Sequence, residues 1–141
     1  MEVSELLKQM PLFTELSKAD LDVLSPSVRI ETYKPGHVIV REGRVGAAFF
    51  LVVSGSVEAV RGIGSPEPVV LTKLGAGDFF GEITAMKHGT RSASVRTLEE
   101  TKCVVIQRLH FDSYVEEFPS VRAKVEAALA ARFDGEKAGG Q

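Results

Sequence analysis

The stretch FFGEITAMKHGTRSASV, Phe79 to Val95, places one carboxylate and one guanidinium among small side chains. Gly81 lets a ligand approach the backbone closely, because no side chain stands in the way. ITAM, which follows Glu82, is long enough for about one helical turn, and the start of such a turn presents unpaired N–H groups that favour an anion. Arg91 arrives from the other side of the loop with a planar fork suited to phosphate oxygens, and Ser92 and Ala93 leave their amides accessible. Glu82 would repel a phosphate, but its carboxylate can accept from a ribose hydroxyl. Phosphate plus ribose is a nucleotide. The competing reading of Glu82 and Arg91 taken alone is a solvated ion pair on a loop, which would contribute little to stability.

Other chemistry is poorly supplied. His37, His88 and His110 are scattered, with no H-x-H pattern and no acidic partner at metal-ligand spacing, so neither a metal site nor a metal-dependent cupin is expected. No nucleophile stands beside a base, and no paired carboxylates appear, so the chain reads as a binder rather than an enzyme. Cys103, the single cysteine, lies in the apolar run TKCVVIQ and reads as an inert buried thiol. A lone cysteine favours a cytoplasmic setting. The net charge of -2 and a pI near 5.9 provide no field for nucleic acid. The longest apolar stretch, around Ala47 to Val53, is far shorter than the roughly 18 residues a membrane helix needs. MEVSELLKQM lacks the apolar segment of a signal peptide.

The 141 residues fit one domain with a sizeable core. Leu6, Leu7 and Met10 share a helical face behind a Ser4 cap, and SKADLDVL offers a second start with Ser17 capping and Asp20 three residues on. From Val28 the character changes: VRIETY, HVIVRE, AAFFLVVSGSVEAV, PVVLTKL, SASVRTL and KCVVIQ are rich in branched and aromatic residues and bounded by KPG, EGRVG, SGS and GIGSPEP. Short strands at this spacing predict a sandwich or barrel. After Gln107, Phe111, Tyr114, Val115 and Phe118 recur at helical spacing. Pro119 interrupts before a second stripe of Val121, Val125, Ala128, Leu129 and Phe133. That stripe reads either as packing against the strands or as a mobile lid. GEKAGGQ, residues 135–141, carries no pattern and is expected to fray as a flexible tail.

GDFFGEITAMKHGTRSASV resembles the phosphate-binding cassette of the cyclic nucleotide-binding domain family, which includes regulatory domains of bacterial cyclic nucleotide-regulated channels, of protein kinase A and of catabolite activator proteins. MPLFTELSKADLDVL is similar to the family's leading helices, YKPGHVIVREG and FFLVVSGSVEAV to its glycine-punctuated β-roll, and FDSYVEEFPSV to its B helix running into its C helix. The resemblance covers about Pro11 to Phe133. It implies a mainly β fold with flanking helices: N-terminal helices over 1–27, a β-roll of jelly-roll type over 28–109 carrying the cassette at 78–95, and C-terminal helices over 110–134.

The resemblance further implies a ligand, cAMP or cGMP, and no cofactor. Glu82 would bind the ribose 2′-OH, Arg91 the equatorial phosphate oxygens, and the amides of Gly81, Glu82, Ser92 and Ala93 the phosphate. Phe80, Ile83, Thr84 and Val95 complete the expected ligand-binding set. Arg132 would cover the purine with Leu129 or Phe133; as a solvated arginine it would instead complement the helix dipole. Thr84 and Ala85 stand where Ala-Leu is frequent, and Thr90 replaces a common proline, departures that bear on affinity rather than ligand class. Ser92 leaves cAMP over cGMP a lean. Ligand binding is expected to move the C-terminal helices and regulate an attached or partner effector, such as a channel or transporter. That effector would make the chain the cytosolic domain of a larger membrane-bound protein. The alternative is a degenerate domain serving as an interaction module. No helix-turn-helix follows the last helix, so a complete catabolite-activator-like transcription factor is not expected.

Overall fold

The computed structural model describes residues 3–41, 48–81 and 93–139, and the side chains of 129 and 131–139 are outside that description. The chain opens with α1 (Val3–Lys8), a 3-10 turn (Pro11–Phe13), α2 (Lys18–Leu24) and a second 3-10 turn (Ser25–Ser27). Among the described residues eight strands follow: β1 (Val28–Tyr33), β2 (Val38–Val40), β3 (Ala48–Ser54), β4 (Ser56–Arg61), β5 (Val69–Gly75), β6 (Phe79–Phe80), β7 (Ser94–Thr97) and β8 (Thr101–Gln107). The chain closes with α3 (Arg108–Glu117) and α4 (Pro119–Gly139).

The strands form two four-stranded antiparallel sheets, ordered β1-β8-β3-β6 and β2-β7-β4-β5. This is the expected β-roll with flanking helices. Side chains alternate across a strand. β3 sends Phe49 and Leu51 into a core beneath the helices, and Phe50 and Val52 into a second core within the roll. β8 does the same with Val104 and Ile106 on one side and Cys103 and Val105 on the other. Both strands are therefore apolar on both faces, which is why FFLVV and CVVI read as continuous runs.

Local chemistry explains the helix starts and stops. At α2, Ser17 Oγ accepts from Asp20 N at 3.1 Å, while Ser17 N donates to Asp20 Oδ2 at 3.3 Å. This reciprocal capping box is the one the sequence implied. Ser4, expected as a cap, lies instead inside the first turn of α1 and is buried, because the helix begins at Val3. Phe118 adopts extended backbone (φ -116°, ψ 98°) between α3 and α4, and Pro119 then opens α4, where its missing N–H costs nothing. α3 starts at Arg108, two residues before the expected boundary.

Phe79 and Phe80, which lie outside the strand-like runs of the sequence, form β6 by pairing with Leu51 and Phe50. A two-residue strand is too short to show any periodicity. α4 continues to Gly139, past the point at 135 where the sequence pattern ends. Glu136, Lys137 and Ala138 are good helix formers that extend a helix without needing an apolar stripe. Among the described residues no helix is long and apolar enough to cross a membrane.

Candidate functional site

Two short strands of different sheets flank the cassette. On the inbound side, Phe80 stacks on Phe50 with centroids 4.8 Å apart and an 8° interplanar angle, and is 4% exposed. Gly81 follows with φ +92°, a left-handed conformation that disfavours any side chain. On the outbound side, Ala93 is half-buried and leads into β7, where Ser94 is 1% exposed and Val95 is 5% exposed. Phe80 and Val95 belong to the same inner core with Val52, Cys103 and Val105. Both ends of the cassette are thereby tied to one rigid cluster.

Of the expected site residues, the structure thus places Phe80, Gly81, Ala93 and Val95, with Phe80 and Val95 packed inward. Glu82, Ile83, Thr84, Arg91 and Ser92, and with them the short ITAM helix, lie outside the described residues. Arg132 lies on α4, and its side chain is outside the description.

The supports of this frame are polar as well as apolar. The β5–β6 turn closes with Asp78 Oδ2 accepting from Gly75 N at 2.9 Å and Asp78 O accepting from Val52 N at 2.8 Å. Beyond the cassette, Arg96 donates to Glu58 Oε1 through Nε at 2.8 Å, and its Nη2 stands 2.7 Å from the same oxygen. Thr97 Oγ1 donates to Lys34 O at 2.6 Å and accepts from His37 N at 2.8 Å, binding the β1–β2 turn to β7.

The frame also touches the helices. Phe79 and Phe49 have centroids 5.3 Å apart, and Phe49 stacks on Phe111 of α3 at 3.9 Å. Pro11 packs on the β5–β6 turn: a Cβ on Gly77 would lie 3.3 Å from Pro11 Cγ. The carbonyl of the same Pro11 accepts from Lys124 Nζ of α4 at 2.6 Å, and that ammonium also reaches Thr14 Oγ1 at 3.0 Å and Glu15 Oε2 at 3.5 Å. Tyr114 of α3 is hydrogen-bonded to Ser27 Oγ.

Among the described residues, burial is the leading cause of the shifts at Cys103, Tyr33 and Asp112. Burial pushes the Cys103 thiol up to about 12, as expected of an inert core cysteine. Burial, reinforced by Cys103 and Glu31 and opposed by Arg29, pushes Tyr33 up to about 12. Desolvation raises Asp112 despite the opposing Arg108. Among the described residues no group of three His, Cys, Asp or Glu is placed to hold a metal.

Sequence reasoning did not single out Glu58, Arg96 or the Phe79–Phe49–Phe111 contact. A signal existed for the first: Glu58 interrupts the apolar run SVEAV in a strand flanked by buried valines.

The model of the family described as "Cyclic nucleotide-binding domain" matches residues 30–118. The human potassium/sodium hyperpolarization-activated cyclic nucleotide-gated channel 3 is 32% identical over 128 residues, which are 91% of this chain and 16% of the channel. The cyclic AMP receptor protein of Thermus thermophilus is 31% identical over 127 residues, covering 90% of this chain and 59% of that protein. The regulatory domain of Toxoplasma gondii PKA, solved with cAMP, superposes with a TM-score of 0.77 at 25% identity, over 92% of this chain and 49% of that one. The chain thus spans only part of the length of these relatives. With the β-roll, the flanking helices and the family match all in place, the chain belongs to the cyclic nucleotide-binding domain family and is a regulatory domain of that kind.

Proposed function

We propose that this domain senses cAMP, with cGMP as the second candidate, and passes binding on as a displacement of α3 and α4. The observation that carries the reading is the shared anchorage of Phe80 and Val95 in one inner core, with left-handed Gly81 beside it. Two fixed ends hold a small-residue loop in which Arg91 takes the phosphate oxygens and Glu82 the ribose 2′-OH. Amides of Gly81, Glu82, Ser92 and Ala93 donate to the phosphate, and Ile83 and Thr84 line the loop. Arg132 covers the base from α4. Charge-assisted hydrogen bonds contribute roughly 1.5–3 kcal/mol each, so this set can supply much of the about 8 kcal/mol that micromolar affinity requires. The lean to cAMP draws on the Thermus receptor, named for cyclic AMP, and the Toxoplasma domain solved with it.

Coupling to the helices is supported by the ring contacts from Phe79 through Phe49 to Phe111 and by Pro11, which touches both Gly77 and Lys124. A ligand biases two arrangements only by its difference in affinity for them, and a tenfold difference shifts the balance by about 1.4 kcal/mol. The effector is an attached segment or a partner protein, with a channel or transporter favoured by the channel relative. This role requires no catalytic step and no cofactor.

Calorimetric titration with both nucleotides tests the reading. Arg91→Ala is expected to weaken binding at least tenfold with the fold intact, and Glu82→Gln to weaken it less. Gln weakens it less because its amide oxygen still accepts from the ribose, and equal affinities of the parent chain for cAMP and its 2′-deoxy analogue would contradict the role of Glu82. No saturable binding of either nucleotide at millimolar concentration would refute the sensor and leave an interaction module.

A further inference from the structure

Ala93, whose amide is read as donating to the phosphate, immediately precedes β7, so its placement depends on how that strand is seated. β7 is four residues long. Its ladder to β2 slips between Val38 and Val40, whereas its ladder to β4 is unbroken: Val57 opposite Thr97, Glu58 opposite Arg96, Ala59 opposite Val95, Val60 opposite Ser94. β4 is therefore the ruler. Small apolar residues make a poor ruler, because they fit one another in several registers, yet a slip of one residue would turn Val95 out of the inner core.

Glu58 and Arg96 are the one charged pair in that ladder. Glu58 is 6% exposed, and both Nε and Nη2 of Arg96 converge on its Oε1. A one-residue slip would set Arg96 against Val57 or Ala59 and leave a buried carboxylate without its guanidinium. Breaking a buried pair is costly, an intact pair contributes little net stability, and the best-attested benefit of such a pair is register.

We infer that the Glu58–Arg96 pair is a register lock on β7, and through it a positioning device for the phosphate-side amide of Ala93; this second half rests on the nucleotide reading above. Glu58 acts through Arg96, and Arg96 through its own strand.

Two double variants of the whole chain test it. E58M/R96M removes both charges and leaves neither orphaned; E58R/R96E exchanges them. The readouts are cross-strand NOEs and amide exchange over Ser94–Thr97, the urea midpoint, and calorimetric Kd for cAMP and cGMP. In E58M/R96M the urea midpoint is expected to equal or exceed that of the parent. Exchange in β7 is expected to quicken at least tenfold and nucleotide affinity to fall at least fivefold, and E58R/R96E is expected to restore both. A merely structural pair would let affinity recover with stability in E58M/R96M. A native ladder with native exchange in that variant overturns the lock, and a loosened ladder with full affinity overturns the positioning half. If E58M/R96M does not fold, the pair is a stability element and the proposal falls. If the parent chain takes up neither nucleotide, the nucleotide reading fails together with the positioning half, and the ladder measurements still decide the lock.

Discussion

Gly55, in the turn between β3 and β4, shows how tightly single positions are set. Its φ is +91°, and a Cβ there would lie 2.6 Å from Thr101 Oγ1 and overlap the Glu100 carbonyl. Thr101 cannot easily retreat, since it is fully buried and its hydroxyl bonds Ser56 O at 3.1 Å and Glu99 O at 2.9 Å. Gly55→Ala is expected to cost about 2–4 kcal/mol from the backbone conformation and the overlap together, read from urea unfolding. Cys103 gives a pH prediction. Its thiol rises from 9.0 unfolded to about 12 folded, so the fold favours the neutral form. That contribution is complete below pH 9 and is lost as pH climbs towards 12, at up to about 1.4 kcal/mol per unit. Cys103→Ala should flatten the alkaline fall in stability, and the parent thiol should react with a labelling reagent no faster than the domain unfolds. The sequence betrayed SGS as a turn and Cys103 as a core residue by composition alone. It did not reveal Glu58, since which strand lies opposite Glu58 is a matter of tertiary pairing.

Elements were legible in proportion to their length and to local signals. The capping box of α2 and the break at Phe118–Pro119 need only neighbouring residues, so both could be read directly. β6 escaped because two residues carry no period, and its identity comes entirely from pairing with β3. The extent of α4 was not legible because helix formers such as Glu136 and Lys137 propagate a helix without an apolar stripe. Two predictions belong to this scale. Phe111→Ala removes a fully buried ring stacked on Phe49 and is expected to cost about 3–5 kcal/mol by calorimetric melting. Lys124→Ala frees α4 from the Pro11 turn, and amide exchange in α4 is expected to quicken about fivefold with the strands unaffected, matching roughly 1 kcal/mol for a part-exposed ammonium.

At the scale of the molecule, the architecture followed from strand-like runs bracketed by helical periodicities, whereas the arrangement of the site did not. Glu82 and Arg91 stand nine positions apart in the chain, and the packing of Phe80 and Val95 into one core fixes where the segment that carries them begins and ends, which no local pattern announces. A nucleotide bound only to the folded form should raise the melting temperature with ligand concentration, contributing about 2.7 kcal/mol at a hundred times Kd. The core beneath the helices draws Leu7, Phe13 and Leu24 from one end of the chain and Phe111, Val121 and Val125 from the other, with Phe49, Leu51, Val104 and Ile106 between them. During synthesis, therefore, the strands emerge from the ribosome with half their apolar cover still unmade. A polypeptide halted after Gln107 would display those four side chains to solvent and be a natural client for chaperones, while completion of α3 and α4 withdraws them from view.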